Sequence, residues 1–179
     1  MIRTLAAALL LLSAPTLASA RGPSTAAERK RAIELTRKLE RQPLAHSSIQ
    51  DRGWLLQFIV EAPDFEVRGC SGPLDALARE DDGPYAKLLY VQSVFGMAAF
   101  ILENPKKTDD WVSVQTAGIE STLKAYESIL KADPDARWKQ LDRLVTARDA
   151  KKLRALVEKE MAKCGTGEDE GGPAPSDAI

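Results

Sequence analysis

One histidine, His46, and two cysteines, Cys70 and Cys164, bound most of the chemistry that this chain of 179 residues can offer. His46 stands in a polar stretch with no acid or cysteine beside it. A histidine-based triad or a multi-histidine metal site therefore has nothing to draw on. The phosphate-binding glycine loop, the G-x-S-x-G elbow, the H-E-x-x-H zinc helix and the EF-hand spacing are all missing from the sequence. Two acidic groups, Glu61 with Asp64 and Glu66, and Glu80 with Asp81 and Asp82, bring carboxylates of the kind acid–base catalysis uses. Both fall at helix ends or in loops, where acids are ordinary, whereas catalysis needs paired carboxylates in differently buried surroundings. The reading is a non-enzymatic chain with no metal and no cofactor.

A second set of residues is polar where its neighbours are apolar. Gln92 and Ser93 interrupt one apolar segment, and Gln115 and Thr122 interrupt another. Buried polar groups need partners, so hydrogen bonds that fix the register of two helices account for them. The alternative is a small-ligand cleft between those helices, lined by Gln92, Ser93, Glu103 and Gln115.

The elements that carry these residues form a helical hairpin. Its first arm, Tyr85 to Glu103, is apolar on nearly every side, the pattern of a helix at the centre of a bundle. A turn at Asn104-Pro105-Lys106-Lys107-Thr108 leads to a second arm over about 109–131, with Asp109 and Asp110 at the positive end of its dipole. One arc of that arm is apolar, and Ser113, Glu120, Ser121, Lys124 and Glu127 lie on the solvent arc. Both arms advance about 1.5 Å per residue. Counting back from the turn therefore places Gly96 opposite Gly118 and Gln92 opposite Thr122. Two interior glycines at one level predict a close approach of the two backbones there, and they bring Gln92 and Thr122 within hydrogen-bonding reach.

The remaining helices follow from caps and spacing. Thr25-Ala26-Ala27-Glu28 is a capping box for a helix ending near Arg41, before Pro43. Its bases and acids alternate, which marks a solvated face. A second helix opens at Ser47 or Ser48, with capping-box spacing from Ser47 to Gln50, and closes at Pro63. Trp54, Leu55, Phe58 and Ile59 form its inward face. Phe65 to Arg68 is expected to be an extended loop, and Leu74 to Ala78 a short helix. Asp133-Pro134 is expected to stop the second arm and cap the next helix, in which Trp138, Leu141, Leu144 and Val145 are apolar, and Asp149 to cap the last, with Leu153, Leu156, Val157 and Met161 inward. The fold class is all-α, a single irregular bundle of five to seven helices around the hairpin.

Residues 1–20 have the form of an export signal: a basic start at Arg3, an apolar run from Leu5 to Leu12, and Ala18-Ser19-Ala20 as the cleavage site. That run is far short of the roughly 20 residues that span a bilayer, so no transmembrane segment is expected after cleavage. The mature helical domain is then 21–164, with a disordered acidic tail over 165–179. An exported chain with two cysteines most simply joins them. A Cys70–Cys164 disulfide would be worth roughly 4–5 kcal/mol in the chain-entropy model. Without Arg3 the chain has 24 basic and 26 acidic residues, a balance that does not suit a nucleic-acid or polyanion binder. The expected role is a periplasmic or secreted interaction or accessory module with a protein partner. The alternative is a small-molecule carrier.

Overall fold

The structure, a computed structural model, describes residues 21–69, 72–74 and 85–163. The export signal, both cysteines of the expected disulfide, residues 75–78 of the short helix expected over Leu74 to Ala78, and the acidic tail lie outside the described residues. Within them are six α-helices and no strand: α1 (Ala26–Arg41), α2 (Ser48–Glu61), α3 (Ala86–Glu103), α4 (Trp111–Ala132), α5 (Lys139–Asp149) and α6 (Leu153–Met161). Among the described residues between α2 and α3 there is a 3-10 turn, Gly72–Leu74. The fold is an all-α bundle.

The antiparallel pair α3 and α4 is its centre and its most extensive contact. Asn104 ends α3, its amide donating to the Phe100 carbonyl at 3.0 Å. Asp110 starts α4, accepting from the Ser113 backbone N–H at 3.0 Å. α1 lies across both arms and α2 packs on α1, while α5 and α6 cover α4 towards the open end of the hairpin. The expected contact of the two glycines is present. A Cβ built on Gly96 would lie 3.0 Å from the Gly118 Cα and 2.9 Å from the Ala117 carbonyl oxygen. With a carbon–carbon bond of about 1.5 Å, the two glycine Cα atoms are within about 4.5 Å of each other. Main chains meet there because neither helix carries a side chain at the crossing.

Three apolar clusters follow from this arrangement. Ala32, Leu39, Leu55, Phe58 and Phe95 join α1 and α2 to α3. Met97, Ile101 and Val114 close the turn end, with Phe65 and Val67 of the extended loop packed on them. Leu89, Leu123, Tyr126, Ile129, Leu141, Leu153 and Val157 fill the open end.

Several local expectations fail, each for a visible reason. Thr25 does form its capping box, but Ser47 makes no cap because its backbone is already helical. Its hydroxyl instead accepts from the Lys38 ammonium at 3.2 Å. Asp133 ends α4 as expected but does not cap α5, whose N-cap is Trp138, and its carboxylate accepts from the Tyr85 hydroxyl at 3.0 Å. Asp149 is the last residue of α5, not the cap of α6. The chain reverses after it through Lys151, at φ 58°, with the Lys152 N–H on the Ala147 carbonyl at 2.8 Å. That is the left-handed closure usually given to glycine.

Candidate functional site

The four polar residues that sequence places around a cleft each have a partner of their own. The Gln92 carboxamide donates to Ser121 Oγ at 2.9 Å, the Ser93 hydroxyl to the Tyr90 carbonyl of its own helix at 2.6 Å, and the Gln115 carboxamide to the Arg68 carbonyl at 2.9 Å. Glu103 pairs with Arg37 at 2.9 Å. Each of the four thus turns to a different neighbour. The seam expected to hold the cleft is the glycine crossing, closed by backbone contact.

Gln92 also does not bond Thr122. The Thr122 hydroxyl donates to the Leu89 carbonyl at 3.1 Å, and the Gln92 amide reaches Ser121, one position away and on the other flank of α4. A helical projection assigns Ser121 to the solvent arc, yet it is fully buried. The cause is α1. Its Glu40, only 5% exposed, accepts from Ser121 Oγ at 2.8 Å and is held from outside by Arg37 at 2.6 Å and Lys124 at 3.6 Å. The supposedly solvated face of α1 thus contributes a buried carboxylate. Gln92, Ser121 and Glu40 form one hydrogen-bonded chain across α3, α4 and α1, with every link inside the protein. It fixes how three helices sit, and it offers no open position to a substrate.

The start of the described chain forms a second polar cluster. Ser24 donates to Asp64 through its backbone N–H and its hydroxyl, each at 2.8 Å, and Arg29 pairs with the same carboxylate. Burial alone would raise the Asp64 pKa. The hydrogen bonds from Ser24 and the charge of Arg29 outweigh it and hold the carboxyl below its usual range. Arg21 bridges Glu28 and Glu61 and lies over the Phe58 ring, 5.4 Å from its centroid. An open cleft of about 260 Å³ runs between these residues and Trp54 and Gln57. The two acidic residues beside it are satisfied by Arg21. Of the acidic sets considered for catalysis, Glu61, Asp64 and Glu66 are each paired with an arginine, and Glu80 to Asp82 lie outside the described residues. His46 is exposed in the turn before α2. No three residues of metal-ligating type converge among the described residues.

Comparison with known protein families, with characterised proteins and with solved structures returned no match.

What remains is a surface. Among the described residues, the large apolar side chains left exposed are Leu44, Ile49, Leu56 and Val60, with Ile49 at 64% and Val60 at 83%. Three of the four are on α2, and Leu44 is in the turn leading to it. At about 100° per residue, Ile49, Gly53, Leu56 and Val60 fall within an arc of about 60°. α2 is therefore apolar on two faces. Leu55 and Phe58 go inward, with Trp54 stacked on Phe58 at 5.3 Å, and the second row faces solvent. Sequence reasoning finds the first row and misses the second. The signal is present, since Ile49, Leu56 and Val60 repeat at helical spacing. The three charges of α2 are engaged within the chain: Asp51 with Lys38 at 2.7 Å, Arg52 with the Pro43 carbonyl at 2.9 Å, and Glu61 with Arg21.

Proposed function

We propose that this protein is an exported, non-enzymatic interaction module, working in the periplasm or outside the cell, that engages a protein partner through the exposed face of α2. The carrying observation is the uncharged row Ile49, Gly53, Leu56 and Val60 lying outside a core whose central seam is closed. An exposed apolar row of this kind marks an interaction surface more often than it marks a fold requirement. The carrier reading has less support, because Gln92, Ser93, Glu103 and Gln115 are each engaged with a different neighbour.

Site-specific photo-crosslinking in living cells tests this role. A crosslinker at position 56 should give a discrete protein adduct in the exported fraction, while one at exposed Lys30 on α1 should give none. Equal labelling from both positions would overturn the assignment of the surface. A metabolite bound stoichiometrically to the native protein would favour the carrier instead. The export reading rests on the signal-like residues 1–20, and sequencing the mature chain should find Arg21 as its first residue.

A further inference from the structure

We infer that the partner for the exposed face of α2 is α2 of a second copy of this chain, paired antiparallel about a two-fold axis. This deepens the interaction-module reading and rests on it. The row is complementary to itself. When two copies of α2 run antiparallel with Ile49 level with Val60 of the second copy, Gly53 comes level with Leu56, and the two-fold repeats both pairs. Each copy then offers one leucine as a knob and one glycine as a hollow. The hollow is open: a Cβ built on Gly53 has nothing within 4 Å, in contrast to Gly96 and Gly118, where it would meet backbone. Gly53 thus has no packing reason inside its own chain, and a helix-interior glycine is disfavoured without one.

Electrostatics does not oppose the pairing. Asp51, Arg52 and Glu61 are directed to partners within their own chain, so the row itself is uncharged, with Gln50 and Gln57 along one edge and Arg52, engaged with the Pro43 carbonyl, along the other. The three aliphatic side chains of the row present on the order of 300 Å² per copy. Two copies would bury on the order of 600 Å² from these residues, and more with the flanking polar side chains, which belongs at most to weak, reversible association. Half-association is expected at about 10–100 μM, equivalent to about −7 to −5.5 kcal/mol.

Sedimentation of the full exported chain tests this, with covalent pairs excluded on a non-reducing denaturing gel. The wild type should pass from monomer to dimer over that range. Gly53→Leu fills the hollow, leaves the monomer folded and should weaken association at least tenfold with unchanged helical circular dichroism. Ile49→Lys and Val60→Glu should each weaken it similarly alone. Mixed one to one they should associate again, because the pairing sets the new ammonium at position 49 of one chain against the new carboxylate at position 60 of the other. A monomer at every concentration to about 1 mM, or a Gly53→Leu chain that dimerises normally, would overturn the second copy as partner. Failure of the mixture to recover would overturn this register. If the wild type stays monomeric while position 56 still crosslinks to a different protein, self-pairing falls and the interaction module stands. If both fail, both readings fall.

Discussion

Tyr126 shows how much a single buried side chain holds here. Its hydroxyl accepts the Trp138 backbone N–H at 2.8 Å and donates to Asp142 at 3.0 Å, so α4 sets where α5 begins. Tyr126→Phe keeps the ring and orphans that N–H, which should cost about 1–3 kcal/mol in denaturant unfolding. Burial, and then the hydrogen bond to Asp142, raise the Tyr126 pKa above its ordinary value. A raised folded-state pKa stabilises the protein below the unfolded value near 10, and that contribution is lost as pH rises through the folded value. The Phe variant should lack this alkaline slope. The chain Gln92–Ser121–Glu40 gives a second residue-scale test. Ser121 accepts from one neighbour and donates to the other, so Gln92→Ala and Glu40→Ala should be non-additive in a double-mutant cycle, by about 0.5–3 kcal/mol. Additivity within error would mean that the links act independently. Glu40 is readable in principle, since Ala32, Thr36 and Glu40 repeat every four residues along one face of α1. Its charge conceals that it is buried.

At the scale of the element, glycine supplies two opposite expectations on one bundle. Counting residues back from the turn pairs Gly118 with Gly96, and a backbone contact is what the structure has there. A side chain on Gly118 would meet the Ser93 carbonyl oxygen at 2.8 Å and Met97 Cγ at 2.7 Å. The methionine can yield, but the carbonyl belongs to a helix. Gly118→Leu should therefore destabilise by about 1–3 kcal/mol through overpacking, although leucine is the better helix former. Gly53→Ala meets nothing and should stabilise by roughly 0.5–1 kcal/mol in thermal or denaturant unfolding. If both substitutions shift stability the same way, backbone approach does not explain the first. Helix existence and the central hairpin are legible because apolar periodicity and Pro or Gly stops are local signals. The caps of α5 and α6 are not. Asp133 and Asp149 have cap-like chemistry, but after α4 the Ala136 N–H turns back to the Asp133 carbonyl, and after α5 the Lys152 N–H reaches back to the Ala147 carbonyl, closures that residue type alone does not reveal. Ser121 is misplaced for a related reason, because a helical projection of α4 does not include α1 lying across its flank.

The whole molecule is tied together at a point that hydrophobic pattern does not reach. Arg21, Ser24 and Arg29 fasten the start of the described chain to Glu61 and Asp64 just where α2 ends. α2 carries the proposed interaction face, so this clasp helps to hold that helix against α1. Its anions respond to pH in one direction. Hydrogen bonds from the Thr25 backbone and hydroxyl, with help from Arg21, lower Glu28. Ser24 and Arg29 lower Asp64 against the effect of burial. A depressed folded-state pKa means that the unfolded chain binds more protons in the acid range. The stabilisation is then complete above the unfolded values near 4 and lost as pH falls through the lower folded values. Asp64→Ala removes the acceptor for two Ser24 donors and the partner of Arg29, and should cost about 1–3 kcal/mol at pH 7. The gap between wild type and Asp64→Ala, measured by urea unfolding at a series of pH values, should narrow steadily below about pH 4, because the wild type loses by protonation what the variant lacks already. A gap that stays constant as the pH falls well below about 4 would show that Asp64 contributes by packing rather than by charge. Asp64 would then have no part in the acid sensitivity of the fold, which would fall to Glu28.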